Sequence, residues 1–148
     1  MIPASRNQIG LTEYEVRYCV QLWDILCGNQ KRELVTAEAS RHSSRTRLNE
    51  TDGKVYLGAD VKPGKGLEAN ARLSESACLA HELSHAERFE MGFERPLEFP
   101  NKLVDEAETS LHASFMAVLS WRDVEDLVED AMDRLNQWLV ETRERRRL

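Results

Sequence analysis

Three residues in this chain can act as one chemical unit: His81, Glu82 and His85, in the run His81-Glu82-Leu83-Ser84-His85. On a helix, residues four apart lie on one face about one turn apart, so both imidazoles project the same way. Two histidines so placed can hold one Zn2+ through their ring nitrogens, and a glutamate beside the first reaches a water on the metal without ligating it. Zinc acidifies that water, and the carboxylate takes its proton as the oxygen attacks a carbonyl carbon. The expected chemistry is hydrolysis, with Zn2+ as cofactor, His81 and His85 as ligands and Glu82 as general base. A zinc site without catalytic work has no need of Glu82.

A catalytic zinc site needs a third protein ligand and one open position. The candidates lie in Asp105-Glu106-Ala107-Glu108-Thr109-Ser110-Leu111-His112: Glu106, Glu108 and His112. Glu108 and His112 are four apart and share a helix face, whereas Glu106 points elsewhere; only one of these faces can look at the metal. His112 has a second candidate role, as donor to an oxyanion, and Tyr56 is a weaker candidate for the same task. Cys78, one turn before His81, reads as a packing residue rather than a nucleophile.

With these residues in view, the sequence resembles the gluzincin branch of zinc peptidases, in which His-Glu-x-x-His is followed about twenty residues later by a glutamate ligand on another helix. Asp105-Glu106-Ala107-Glu108-Thr109-Ser110 is similar to the thermolysin-like run Asn-Glu-Ala-x-Ser-Asp, which implies Glu106 as the third ligand. The chain also looks like short bacterial effector zincins that cleave host proteins, and like short intracellular zincins that cleave phage-type repressors. The resemblance extends over residues 54–115. It implies a metallopeptidase with a minimal zincin-like fold. The small size, 148 residues, suggests narrow substrate specificity. One departure stands out: Ser110 occupies the position of an aspartate that supports the first histidine, so that support is expected from Asp105, Glu108 or a backbone carbonyl. A metzincin pattern is excluded, because Arg88 and Met91 stand where it needs glycine and histidine.

The elements that must position these residues are legible. Thr12 and Glu15 form a capping box, with Leu11 and Val16 as a hydrophobic staple. Val16, Cys19, Val20, Trp23, Leu26 and Cys27 then recur at helical spacing up to Gly28-Asn29. Lys54 to Val61 alternates apolar and polar and predicts a strand, with a partner within Ser43 to Asn49 and another strand near Leu34 to Ala39. Its segment Val55 to Ala59 is the expected edge along which an extended substrate lies, Gly58 allowing close backbone approach. Helices are predicted over 74–90 with Ser74 as cap, over 102–119 with Asn101 as cap, and over 121–146. The last has an apolar stripe of Val124, Leu127, Val128, Ala131, Leu135, Trp138 and Leu139.

The expected fold class is therefore α+β: a small, mainly antiparallel sheet packed on the active-site helix with flanking helices, in one domain over 1–148. The net charge of −6 argues against a nucleic-acid role, and the basic run Arg143 to Arg147 suits a helix C-terminus. Three cysteines without C-x-x-C spacing suggest a reducing compartment. No apolar run of about 18 residues and no signal-peptide pattern is visible, so no membrane role is expected. The protein is expected in the cytoplasm, or delivered as an effector without a cleavable signal peptide. The expected partner is a polypeptide substrate, with the last helix as a surface for a protein partner. The rival reading is a catalytically silent or partner-dependent, regulatory or toxin-like protein on the same fold.

Overall fold

The capping box at Thr12 forms as its residues predict: the Thr12 hydroxyl accepts from the Glu15 amide, Glu15 accepts from the Thr12 amide, and helix α1 runs over Glu13–Cys27. In the computed structural model, residues 6–93 and 98–147 are described. They form an α+β arrangement of five helices and one three-stranded sheet. Among the described residues no helix is long and apolar enough to cross a membrane.

The strands are β1 (Leu34–Val35), β2 (Arg47–Asn49) and β3 (Lys54–Tyr56), in the order β1-β3-β2. β3 runs parallel to β1 and antiparallel to β2, so the sheet is mixed rather than mainly antiparallel. β3 is thus the middle strand, and it ends at Tyr56 instead of continuing to Val61. The reason lies in contacts to the segment that leads into β2. The Thr46 hydroxyl bonds both the amide and the carbonyl of Gly58, and the Asp60 carboxylate accepts from the Thr46 amide at 2.6 Å. These contacts pull the chain out of the ladder into a single 3-10 turn, Ala59–Val61. A Cβ on Gly58 would stand 2.3 Å from the Arg45 carbonyl carbon. The close approach that this glycine permits is therefore made by the chain's own backbone, not by a substrate lying along β3.

After the short α2 (Ala69–Arg72) comes α3 (Glu75–Glu90), with the Ser74 hydroxyl accepting from the Ala77 amide. Gly92, at φ 87°, follows its end, as a helix-breaking glycine does; Pro96, which the sequence offers as a second breaker after it, lies outside the described residues. α4 covers Lys102–Ser114, five residues shorter than the periodicity suggests, because Phe115 to Leu119 turn through bonds such as Met116 N–H to the Ala113 carbonyl. Asn101 does not cap it. Its backbone is already helical, and its side-chain oxygen accepts from Trp138 Nε1 at 3.1 Å, joining the start of α4 to α5 (Trp121–Arg146).

α3 is the shared wall of two cores. Leu79, Leu83 and Ala86 pack with Trp23, Leu48, Val55 and Leu57, while Ala77 and Ala80 pack with Leu73, Ala113 and Leu127. Each fully buried leucine contributes about 1.5–3 kcal/mol, enough that the helix cannot rotate to expose either set. Its third face, carrying His81, Ser84 and His85, is thereby turned toward α4 and α5. On α5, Leu127 and Ala131 of the predicted stripe are buried, whereas Trp121, Leu139 and Val140 remain exposed.

Candidate metal centre

His81 and His85 sit one helical turn apart, 5 % and 4 % exposed, with their rings edge to face at 4.7 Å. α4 crosses this face of α3 and brings one carboxylate to both rings: Glu106 Oε2 lies 3.0 Å from His81 Nε2, and Oε1 lies 3.1 Å from His85 Nε2. One donor atom from each of the three residues can be chosen so that all lie within 4.8 Å of one another. Two imidazole nitrogens and a carboxylate oxygen are the donor set of a catalytic zinc site. They line one wall of an open cleft of about 660 Å3 that also contains Glu82, Arg134 and Leu103, so a fourth position would face the open cleft.

The other candidates for third ligand lie elsewhere. Glu108 is held by Arg88 at 3.1 Å on the outer side of α4, and His112 Nδ1 is 3.1 Å from the Ser84 hydroxyl. Neither lines the cleft. Helical geometry explains this: Glu106 and Glu108 are separated by about 200° around the helix, and burial of Leu103, Ala107 and Ser110 turns the Glu106 side inward. Arg88, at the position where a metzincin has glycine, clamps α3 to α4 by reaching Asp105 at 3.0 Å as well as Glu108. Tyr56 donates to Asp52 on the exposed side of the sheet and is likewise outside the cleft.

Each histidine is oriented from behind by a hydroxyl of α4. Ser110 Oγ donates to Asp130 Oδ2 at 2.6 Å and lies 2.8 Å from His81 Nδ1. A hydroxyl has one proton, so Ser110 accepts from His81 Nδ1–H. Thr109 repeats the arrangement: its hydroxyl donates to the Asp105 carbonyl at 2.8 Å and accepts from His85 Nδ1–H at 3.3 Å. Each imidazole thus spends Nδ1–H on a hydroxyl and turns Nε2 toward the Glu106 carboxylate; a metal that takes the place of the Nε2 proton would leave Nδ1–H already held. The expected support from the Asp105 or Glu108 carboxylate is not made. Ser110 is the support, and its charge comes from Asp130 of α5, 1 % exposed. Asp130 also accepts from Arg134 Nε at 2.9 Å, and Arg134 Nη1 is 3.5 Å from Glu106 Oε2.

The electrostatics follow from this packing. Burial alone would lower the His81 pKa, but the hydrogen bond and charge of Glu106, with Glu82 behind, hold it above the ordinary value. Burial alone would raise Glu106, yet the two imidazoles hold it well below the ordinary carboxylate value. Arg134 loses solvation too, and Asp130 and Glu106 keep it firmly charged. Cys78 also lines the cleft, but burial pushes its thiol far up, away from the reactive thiolate.

The Ser110-Asp130-Arg134 arrangement is absent from the sequence-level reading, although α5 carries a sign of it. Leu127, Asp130, Ala131 and Arg134 fall at i, i+3, i+4 and i+7, so two charged residues occupy the core-facing stripe of an amphipathic helix. Comparison with protein-family models, with curated proteins and with solved structures finds no match.

Proposed function

We propose that this chain is a zinc-dependent metallopeptidase of the gluzincin kind, hydrolysing a peptide bond in the cleft beside α3. The observation that carries the reading is the convergence of His81 Nε2, His85 Nε2 and the Glu106 carboxylate on one point of an open cleft. His81, His85 and Glu106 would hold the metal. When bound, zinc supplies Lewis acidity, polarising the substrate carbonyl and acidifying water near neutral pH.

The chain's own groups do the remaining work. Glu82 lines the cleft next to the first histidine; it accepts the proton of the attacking water and returns it to the departing amine nitrogen. Thr109 and Ser110 hold both imidazoles through Nδ1, which would leave Nε2 as the atom offered to the metal. Arg134, in contact with Glu106, is the fixed cation beside the negative charge that develops on the carbonyl oxygen. The substrate backbone is expected along β2, since β3 is covered on both sides and Arg45 to Leu48 line the cleft. A minimal zincin-like fold is part of this proposal.

The test is zinc titration of the metal-free protein with a peptide-hydrolysis assay. One zinc per chain and zinc-dependent cleavage are expected, with Glu82→Gln retaining zinc while turnover falls about 10²–10⁴-fold. Absence of zinc binding by the wild type sinks the proposal. An unchanged cellular effect in Glu82→Gln would instead support a protein acting by binding.

A further inference from the structure

The cleft has the opposite charge to the molecule around it. The chain carries a net −6, yet Arg6, Arg45, Arg47, Lys102 and Arg134 line the cleft against three carboxylates, Asp60, Glu82 and Glu106. A bound divalent cation would widen that excess. Three of the cations have internal work. Arg6 donates to the Asp60, Val61 and Asn70 carbonyls at 2.6–2.7 Å, Arg47 pairs with Glu38 at 3.0 Å, and Arg134 pairs with Asp130. Arg45 and Lys102 are different. Both are exposed, and among the described residues neither side chain makes a hydrogen bond or ion pair.

Their positions relative to the donor set are informative. Arg45 lies two residues before β2, which pairs on one side only among the described residues, and its backbone is seated by Gly58. Lys102 opens α4 four residues before Glu106, so both project from one helix face into the cleft. One uncommitted cation therefore stands on the strand wall and one on the helical wall, with the histidines and Glu106 lining the cleft with them. An extended chain added to β2 presents alternate side chains to the same side, two residues apart.

We infer that the cleft selects polypeptide segments with acidic side chains flanking the bond presented to His81, His85 and Glu106, read by Arg45 and Lys102. This rests on the peptidase proposal and names the substrate class of the same site. Low-dielectric walls focus the field of such charges onto an incoming ligand. A nucleic acid is the poorer fit, because the positive potential is confined to the cleft, and a long polyanion would meet the negative remainder of the surface.

The experiment uses zinc-loaded full-length protein and pairs of quenched peptides differing only in Asp/Glu against Lys/Arg beside the scissile bond. The acidic peptides are expected to have kcat/KM about tenfold higher or more at low salt, the ratio shrinking as salt rises. The double variant Arg45→Glu/Lys102→Glu should abolish or invert the ratio. Arg122→Glu, an exposed charge reversal outside the cleft, should leave the ratio unchanged. Fluorescence anisotropy of the acidic peptide on zinc-loaded Glu82→Gln reads the same dependence without turnover. Cleavage with no charge preference, or with a preference that survives the double variant, overturns the inference while leaving the peptidase. Acidic-peptide binding that requires Arg45 and Lys102, with no peptide cleaved, upholds the charge selection and overturns the peptidase. Displacement of the peptide by a single-stranded oligonucleotide of higher affinity overturns the choice of polypeptide.

Discussion

The two walls of the cleft are built on different principles. On the helical wall, α3, α4 and α5 aim their polar atoms at one another. His81 is backed by Ser110 and Asp130, His85 by Thr109 and the Asp105 carbonyl, and Glu106 lies between the rings. On the strand wall, Arg45 to Leu48 present an open edge and an uncommitted cation. The first wall is pre-organised, as a metal site must be, since each misplaced donor costs affinity. The second is left open toward solvent, and under the charge-selection proposal an incoming ligand would supply the missing partner. Internal hydrogen bonding is thus concentrated on the helices and open charge on the strand side.

The sharpest way to break this division is to compare Asp130→Ala with Arg45→Ala in urea unfolding. Loss of the Asp130 carboxylate leaves the buried Arg134 guanidinium with only the longer contact to Glu106 and takes away the acceptor of the Ser110 hydroxyl, and should cost about 3–5 kcal/mol. Arg45→Ala should stay within about 0.5 kcal/mol of wild type; equal costs would erase the contrast. Within the helical wall, Ser110→Ala should weaken zinc binding about 10–100-fold in a chelator competition. Thr109→Val, whose longer contact ends on a neutral carbonyl, should weaken it less. A Thr109→Val effect as large as that of Ser110→Ala would show that the buried charge of Asp130 is not what distinguishes them.

Gly58→Ala tests how the strand wall is seated. Its Cβ would meet the Arg45 backbone at 2.3 Å, so a loss of about 1–3 kcal/mol in thermal or urea unfolding is expected, with zinc affinity retained. The smallest effect is the pH dependence of the metal-free protein. His81 is held above the ordinary 6.5, so its contribution is complete below that pH and is lost as pH rises through the higher folded value. Glu106, held well below 4.5, contributes above that pH and loses its contribution as pH falls through its depressed value. The melting temperature of metal-free protein should therefore decline as pH rises above 6.5 through the His81 value. The zinc-saturated protein should show the opposite slope there, because zinc requires neutral imidazoles. Parallel slopes would mean that His81 is not a ligand.

Local features of the sequence were readable because their physics is local. The Thr12-Glu15 box, the Ser74 cap and the shared face of His81 and His85 depend on hydrogen bonds and helical periodicity within a few residues. Features set by longer contacts are not contained in the local pattern. Lys54 to Val61 alternates like one strand, but Thr46 and Asp60 divert it after Tyr56. Asn101 likewise serves Trp138 on another helix rather than capping α4.

What the sequence determined by itself is the chemical triplet: two histidines and a glutamate whose spacing, on any helix, puts the imidazoles on one side. Which of Glu106, Glu108 and His112 faces the two histidines is set only by the tertiary structure, because all three lie on one helix and packing alone selects the face turned inward. The same holds for Ser110. By residue type it looks like a lost carboxylate, and its meaning depends on Asp130, twenty positions away on another helix. The edge strand was likewise decided by the order β1-β3-β2, a pairing that no alternation pattern within one segment contains. Periodicity states which residues share a face; what that face meets is settled by the burial of the others.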